Sequence, residues 1–220
     1  MHLSERNRSC SDWPASAANT EGKLMGDQRG SKQSANSILD RLADEEAIVV
    51  LRHLLEKHGE LRPEAESIAV HFISSQSAED IAAEVSDALT GIDLDALNGR
   101  AGRHSWGYVE PSEAAVELLE EAIEERVEDM KRRLGMEMVA SAQTLCGGLI
   151  EGLYASRKPN SDGALGWAPD FPAEHAGFLV QEFLELSRYK LTSAERIKFI
   201  DRLVSRAPEW KDMFHRAMHA

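Results

Sequence analysis

Two arginines, a histidine and two aromatic residues fall within one glycine-rich segment, Asn98-Gly-Arg-Ala-Gly-Arg-His-Ser-Trp-Gly-Tyr-Val-Glu-Pro111. Arg100, Arg103 and His104 beside Trp106 and Tyr108 are the residue types that hold a phosphate, a carboxylate or a peptide. A guanidinium offers paired donors and an aromatic ring offers a flat apolar seat. Gly99, Gly102 and Gly107 allow positive φ or a close approach of backbone to a ligand. The spacing is neither a dinucleotide fingerprint nor a P-loop, since no strand is expected before it and no Gly-Lys-Ser/Thr follows. The competing structural role puts Trp106 and Tyr108 into the core and pairs the arginines with acidic helices. A second loop, Leu165 to Pro172, is stiffened by Pro169 and Pro172 and carries Trp167 and Phe171. With both loops at one end of the fold, Arg100, Arg103, His104, Trp106, Tyr108 and Trp167 line a groove for an anionic ligand or a partner. With the loops apart, the aromatic residues are independent core plugs.

Other constellations carry less chemistry. His53, Glu56 and His58 resemble a zincin helix, but zinc needs its two helical histidines four apart, and a spacing of five turns the second by about 140° from the first. Cys146 lies mid-helix with no His or cation three or four residues away, so it is expected to be a buried structural thiol. Ala140, Thr144, Gly148 and Gly152 recur every four residues, a small-residue ridge for close helix packing or, alternatively, a cavity. Glu117, Glu121, Glu125 and Asp129 form one acidic stripe and Glu120, Glu124 and Glu128 another, ending at Arg133 and Arg132. That arrangement suits the helix dipole and reads as a solvated face, with docking of a basic partner as the second reading. No catalytic residue, metal ligand set or cofactor is expected.

The elements that must position these residues belong to a chain of 220 residues with 42% hydrophobic and 29% charged residues, the composition of a globular protein. Against 25 Lys+Arg stand 38 Asp+Glu, a formal charge of −13, which opposes nucleic-acid phosphate. No stretch approaches the roughly 20 apolar residues that span a bilayer, and the polar N-terminus lacks a signal-peptide core, so no membrane and a cytoplasmic location are expected. Residues 1–37 are rich in Ser, Asn, Gly and Gln with isolated apolar residues, and are expected to be a disordered tail before one domain over residues 38–220.

From Ser37 onward the period is helical. Ile48, Leu51, Leu54 and Leu55 mark a helix ending at His58-Gly59, with Gly59 as a left-handed cap. Pro63 opens a second helix carrying Ala65, Ile68, Ala69, Phe72 and Ile73, and Ser77 with Asp80 opens a third carrying Ile81, Val85 and Leu89. Short links make these three antiparallel neighbours. Helices are then expected over about 111–134, 137–154 and 172–186, the last marked by Phe178, Leu179, Phe183 and Leu186. Thr192 and Glu195 form a capping box before Ile197, Ile200, Leu203 and Val204. Past Pro208, Trp210, Met213, Phe214, Ala217 and Met218 make a complete stripe that docks on the chain's own body or serves as a homo-oligomer contact. The expected class is all-α: an array of antiparallel helical hairpins, helical-repeat-like or an irregular bundle.

Gly102-Arg103, the run Gly107-Tyr108-Val109-Glu110-Pro111-Ser112-Glu113-Ala114-Ala115, and Gly152-Leu153-Tyr154 resemble an uncharacterised class of bacterial all-helical proteins. Some of its members are similar to regions that accompany SWIM-type zinc modules. The similarity spans roughly residues 40–190. It implies a bacterial, cytoplasmic helical scaffold and brings no catalytic residue, and the Cys-x-Cys and Cys-x-His pairs of the zinc module are absent. The expected function is therefore a non-enzymatic scaffold that binds another protein through residues 98–111 and the acidic helix. The alternative is an enzyme or small-ligand-binding protein with an anionic ligand held between loops 98–111 and 165–172.

Overall fold

The structure is a computed structural model that describes residues 38–105, 107–158 and 163–219. The expected disordered tail, residues 1–37, lies outside the described residues. The chain divides into two units at Glu60, inside the stretch expected to be one domain. The described part of the first unit holds a 3-10 turn, Ile38–Arg41, and helix α1, Asp44–Lys57. The second unit holds α2 (Arg62–Ile73), α3 (Ala78–Thr90), α4 (Leu94–Arg100), β1 (Gly102–His104), β2 (Gly107–Val109), α5 (Pro111–Gly135), α6 (Val139–Ser156), α7 (Ala164–Trp167), α8 (Phe171–Leu186), α9 (Ser193–Arg206) and α10 (Lys211–His219). The class is all-α, as the period of the sequence indicates. None of the described helices is long and apolar enough to cross a membrane.

In the first unit, Asp44, Glu45 and Glu46 sit in the first turn of α1, where carboxylates complement the helix dipole, and Glu46 accepts the Ala43 N–H at 3.0 Å. The expected left-handed Gly59 is not found. His58 closes α1 by donating its N–H to Leu54, and Gly59 opens a 3-10 turn with φ outside the left-handed region.

In the second unit, Pro63 stands in the first turn of α2 as expected, but α2 buries none of its side chains, and Phe72 is 70% exposed. The hairpin expected between the second and third helices is not the main contact of α3, which turns Ile81, Val85 and Leu89 onto α6 instead. The reason lies in Gly148 and Gly152. A Cβ built on either would stand 2.6 Å from the Cβ of Ile81 or Val85 respectively, so only glycine permits this approach. The ridge read from the sequence is thus a helix-packing surface.

Helix α6 is the centre of the core, with Ala142, Leu145, Cys146, Leu149, Ile150 and Leu153 buried among α3, α5, α8 and α9. Burial pushes the Cys146 thiol far above its ordinary range, so it stays protonated. Helix α5 contributes the stripe Leu119, Ile123, Val127, Met130 and Leu134. In α8 the buried face is Ala176, Leu179, Val180 and Phe183, whereas Phe178, expected among them, is 68% exposed. The Thr192–Glu195 capping box forms in full, with the Glu195 N–H donating to Thr192 Oγ1 at 3.3 Å and the Thr192 N–H to Glu195 Oε2 at 2.8 Å. In α9, Phe199 replaces the expected Ile197 in the core, its ring 4.7 Å from that of Phe183. The C-terminal stripe docks on the body. Trp210 and Phe214 are buried, α10 lies on α8 and α9, and Met213 fills the space over Gly177.

One charged group is built into this interior. Arg133 is 4% exposed and donates to Asp129 at 2.7 Å, to Ser141 Oγ at 2.7 Å and to Gln76 at 3.4 Å. It ties the end of α5 to the start of α6 and to the segment between α2 and α3.

Candidate functional site

The segment expected as one loop, residues 98–111, is the end of α4 followed by a two-stranded hairpin. Strands of three residues are too short to show alternation, which hides them in the sequence. Gly102 and Gly107, with φ of 104° and 152°, take backbone conformations that other residues adopt with difficulty. The pairing sets Arg103 opposite Tyr108 and His104 opposite Gly107. Arg103 and Tyr108 are exposed, and the His104 ring nitrogen Nε2 lies 2.7 Å from the carbonyl oxygen of Arg100. Trp106 lies outside the described residues.

Arg100 does not point at an open site. Its guanidinium donates to Glu117 at 3.1 Å and in a two-pronged contact to Glu121 at 2.8 Å. The hydrogen bonds from Glu121 and then Glu117 raise the pKa of Arg100, and the bond from Arg100 lowers that of Glu121. The competing role weighed for the loop arginines, pairing with an acidic helix, therefore describes Arg100.

Trp167, at the end of α7 and 50% exposed, lines a different place. A cavity of about 360 Å³ lies between the N-terminal half of α5, with Ser112, Val116 and Glu120, and the segment running from Trp167 through Phe171 to Phe178. A second cavity of about 450 Å³ continues along α5 past Glu117, Glu121, Glu124, Val127, Glu128 and Lys131. Glu120 and His175 border both, so the two form one groove between α5 and α8. Seven carboxylates and a single lysine line it. That lysine, Lys131, is held by Glu182 at 2.9 Å and Glu128 at 3.1 Å. Of the residues expected at a site, the groove takes Trp167, and neither cavity is lined by Arg100, Arg103, His104 or Tyr108.

His175 was not singled out in the sequence, although a signal exists. Phe171, His175 and Phe178 recur at four and three along α8, on a stripe distinct from the buried Ala176, Leu179, Val180 and Phe183. The His175 ring stacks on Phe171 with centroids 4.9 Å apart. Burial lowers its pKa from 6.5, and Glu120 and Glu182 oppose the shift only in part. The imidazole is neutral at pH 7 and offers one donor and one acceptor to the groove. The unfolded chain takes up this proton more readily than the folded one, so stability falls as pH drops through 6.5. Thermal melting of His175→Gln is expected to lose part of that decline between about pH 7 and pH 5.5; an unaltered pH profile contradicts it.

The arrangement can bind, and among the described residues of the groove no nucleophile is hydrogen-bonded to a base. Among the described residues no group of three or more His, Cys, Asp or Glu could hold a metal ion. His53 and His58 face different carboxylates, Glu56 at 3.9 Å and Glu60 at 3.2 Å. Comparison with protein-family models, with curated proteins and with solved structures finds no match for this chain.

Proposed function

We propose that the chain is a non-enzymatic helical scaffold that binds another protein, and that the α5–α8 groove takes a basic, amphipathic segment of that partner. The observation that carries this reading is the groove's two-sided chemistry. Trp167 and Phe178 stand exposed over a floor of Val116, Val127 and Phe171, while the carboxylates of α5 and the start of α8 form the rim. Apolar anchors seat in such a floor, and lysine or arginine flanks match such a rim in sign. A helix laying its apolar face into the groove satisfies both demands at once. The same rim repels an anionic ligand. The second reading, an anionic ligand at the hairpin, rests on Arg103, which is exposed opposite Tyr108.

The test is titration of a labelled amphipathic Lys/Leu peptide, followed by anisotropy. The peptide is expected to bind saturably and more weakly as salt rises. Trp167→Ala combined with Phe178→Ala should weaken it by roughly tenfold to a hundredfold, because those rings are the apolar seat. Glu120→Lys with Glu124→Lys should weaken it by about tenfold and flatten the salt dependence. Equal binding by both variants overturns the assignment. Preference for a Glu/Leu version, abolished by Arg103→Ala, supports the hairpin reading in its place.

A further inference from the structure

We infer that the pocket where α8, α9 and α10 meet binds a small organic phosphate, with Arg188 and Arg196 on its phosphate group and Leu184, Ala217 and Met218 under its apolar part. The pocket has a volume of about 480 Å³, more than a phosphate group alone would fill. Arg188 comes from the link after α8, Arg196 from the first turn of α9 and His219 from the last turn of α10. Leu184 belongs to the buried core, and Ala217 and Met218 pack against it.

Charge points to an anion here. The chain has a net charge of −13, and Arg100, Arg126, Arg133, Arg157 and Arg206 each hold a carboxylate. Arg188 and Arg196 share one pocket, and among the described residues neither is ion-paired. The Nη2 of Arg196 donates to the carbonyl oxygen of Arg188, which fixes the guanidinium, while its Nε is enclosed without a hydrogen-bond partner. A part-buried cation held in place without a counter-charge is costly, and an anion in the pocket offsets that cost. The adjacent carboxylate, Glu195, is committed to the Thr192 cap. Glu185 also lines the pocket, but one carboxylate against two guanidiniums leaves it positive, and His219 adds an imidazole N–H in either tautomer. Arginine forks match phosphate oxygens in pairs. A phosphate monoester carries about −1.5 to −2 at pH 7 and so answers both guanidiniums, where a carboxylate answers one.

Titration of the full chain with phenyl phosphate, inorganic phosphate and benzoate at fixed ionic strength, followed by NMR chemical shifts, tests this. Phenyl phosphate is expected to saturate one site with a Kd of about 1 mM or below, with shifts centred on the ends of α8 and α10 and the start of α9. Inorganic phosphate, which forgoes the apolar floor, should bind roughly tenfold more weakly, and so should benzoate, which keeps the ring but brings a single charge. Arg196→Met should weaken phenyl phosphate by about tenfold or more. Arg188→Met should do the same, and because that side chain is exposed the variant folds even where Arg196→Met does not. Met218→Ala should weaken phenyl phosphate about threefold and leave inorganic phosphate unchanged. Arg202→Met removes a cation from the same helix outside this pocket, so binding should stay within about twofold. No saturable binding up to about 10 mM, benzoate as tight as phenyl phosphate, full binding by Arg188→Met, or an equal loss in Arg202→Met overturns the inference. None of these residues lines the α5–α8 groove, so failure here leaves the peptide titration unaffected.

Discussion

Arg133→Ala is expected to destabilise the fold by about 2–4 kcal/mol, because it removes the guanidinium that serves the Ser141 hydroxyl and leaves the half-buried Asp129 carboxylate with Arg132 as its remaining partner. Arg133 is 4% exposed and serves Asp129, Ser141 and Gln76 together. For a domain of this size each kcal/mol lowers the melting temperature by about 2–4 °C, so a drop of roughly 10 °C is expected by calorimetry. The pH dependence has a definite sign. Burial alone would raise the pKa of Asp129, but the hydrogen bonds from Arg133 and Arg132 hold it below 3.8. A carboxyl whose folded value is depressed contributes stability that is complete above the unfolded value and is lost as pH falls through the folded one. The difference between wild type and Arg133→Ala should therefore be largest near neutrality and shrink below about pH 4. Asp129→Asn combined with Arg133→Met should recover part of the loss, since neither charge is then left without its partner. A loss under 1 kcal/mol, or a gap that widens in acid, contradicts the network's role.

Arg133 also shows what the sequence could and could not convey. Its i,i+4 spacing from Asp129 is visible on the acidic stripe, but its burial depends on Ser141 and Gln76, which only the α5–α6 turn and the packing of the α2–α3 segment bring near. The stripes that face the core, such as Ile81, Val85 and Leu89 or Ile123, Val127 and Met130, follow from the helical period. The Thr192 and Ser77 caps follow from local side-chain chemistry. Helix α4 and the hairpin escape such reading because seven residues with only Leu97 buried, and two strands of three, present no period. The same limit applies at the candidate groove. The acidic face of α5 is evident from spacing, yet the wall of Phe171, His175 and Phe178 opposite it is set by how α8 docks, and the direction of Arg100 is set by glutamates 17 and 21 positions away.

The second large effect tests which helix the small-residue ridge receives. Gly148→Ala and Gly152→Ala each place a methyl group 2.6 Å from the Cβ of Ile81 or Val85, and 2.8 Å from the carbonyl oxygen of Ala78 or Ala82. These are backbone atoms and branch points and cannot swing aside, so α3 must move off α6 or the helix must bend. Overpacking of this kind costs about 1–3 kcal/mol and occasionally more, against roughly 1 kcal/mol returned by the better helix propensity of alanine. A net loss of about 1–2 kcal/mol per substitution, or roughly 2–8 °C in melting temperature, is expected. Gly147 supplies the control within the same turn. A Cβ there meets nothing within 4 Å, so Gly147→Ala should gain up to about 1 kcal/mol from propensity alone. Opposite signs at neighbouring glycines arise only if α3 lies against the 148/152 face and not the 147 face. Should all three substitutions stabilise, the close α3–α6 contact is absent in solution. Should Ile81→Ala rescue Gly148→Ala while leaving Gly152→Ala unchanged, the register of the two helices is fixed residue by residue.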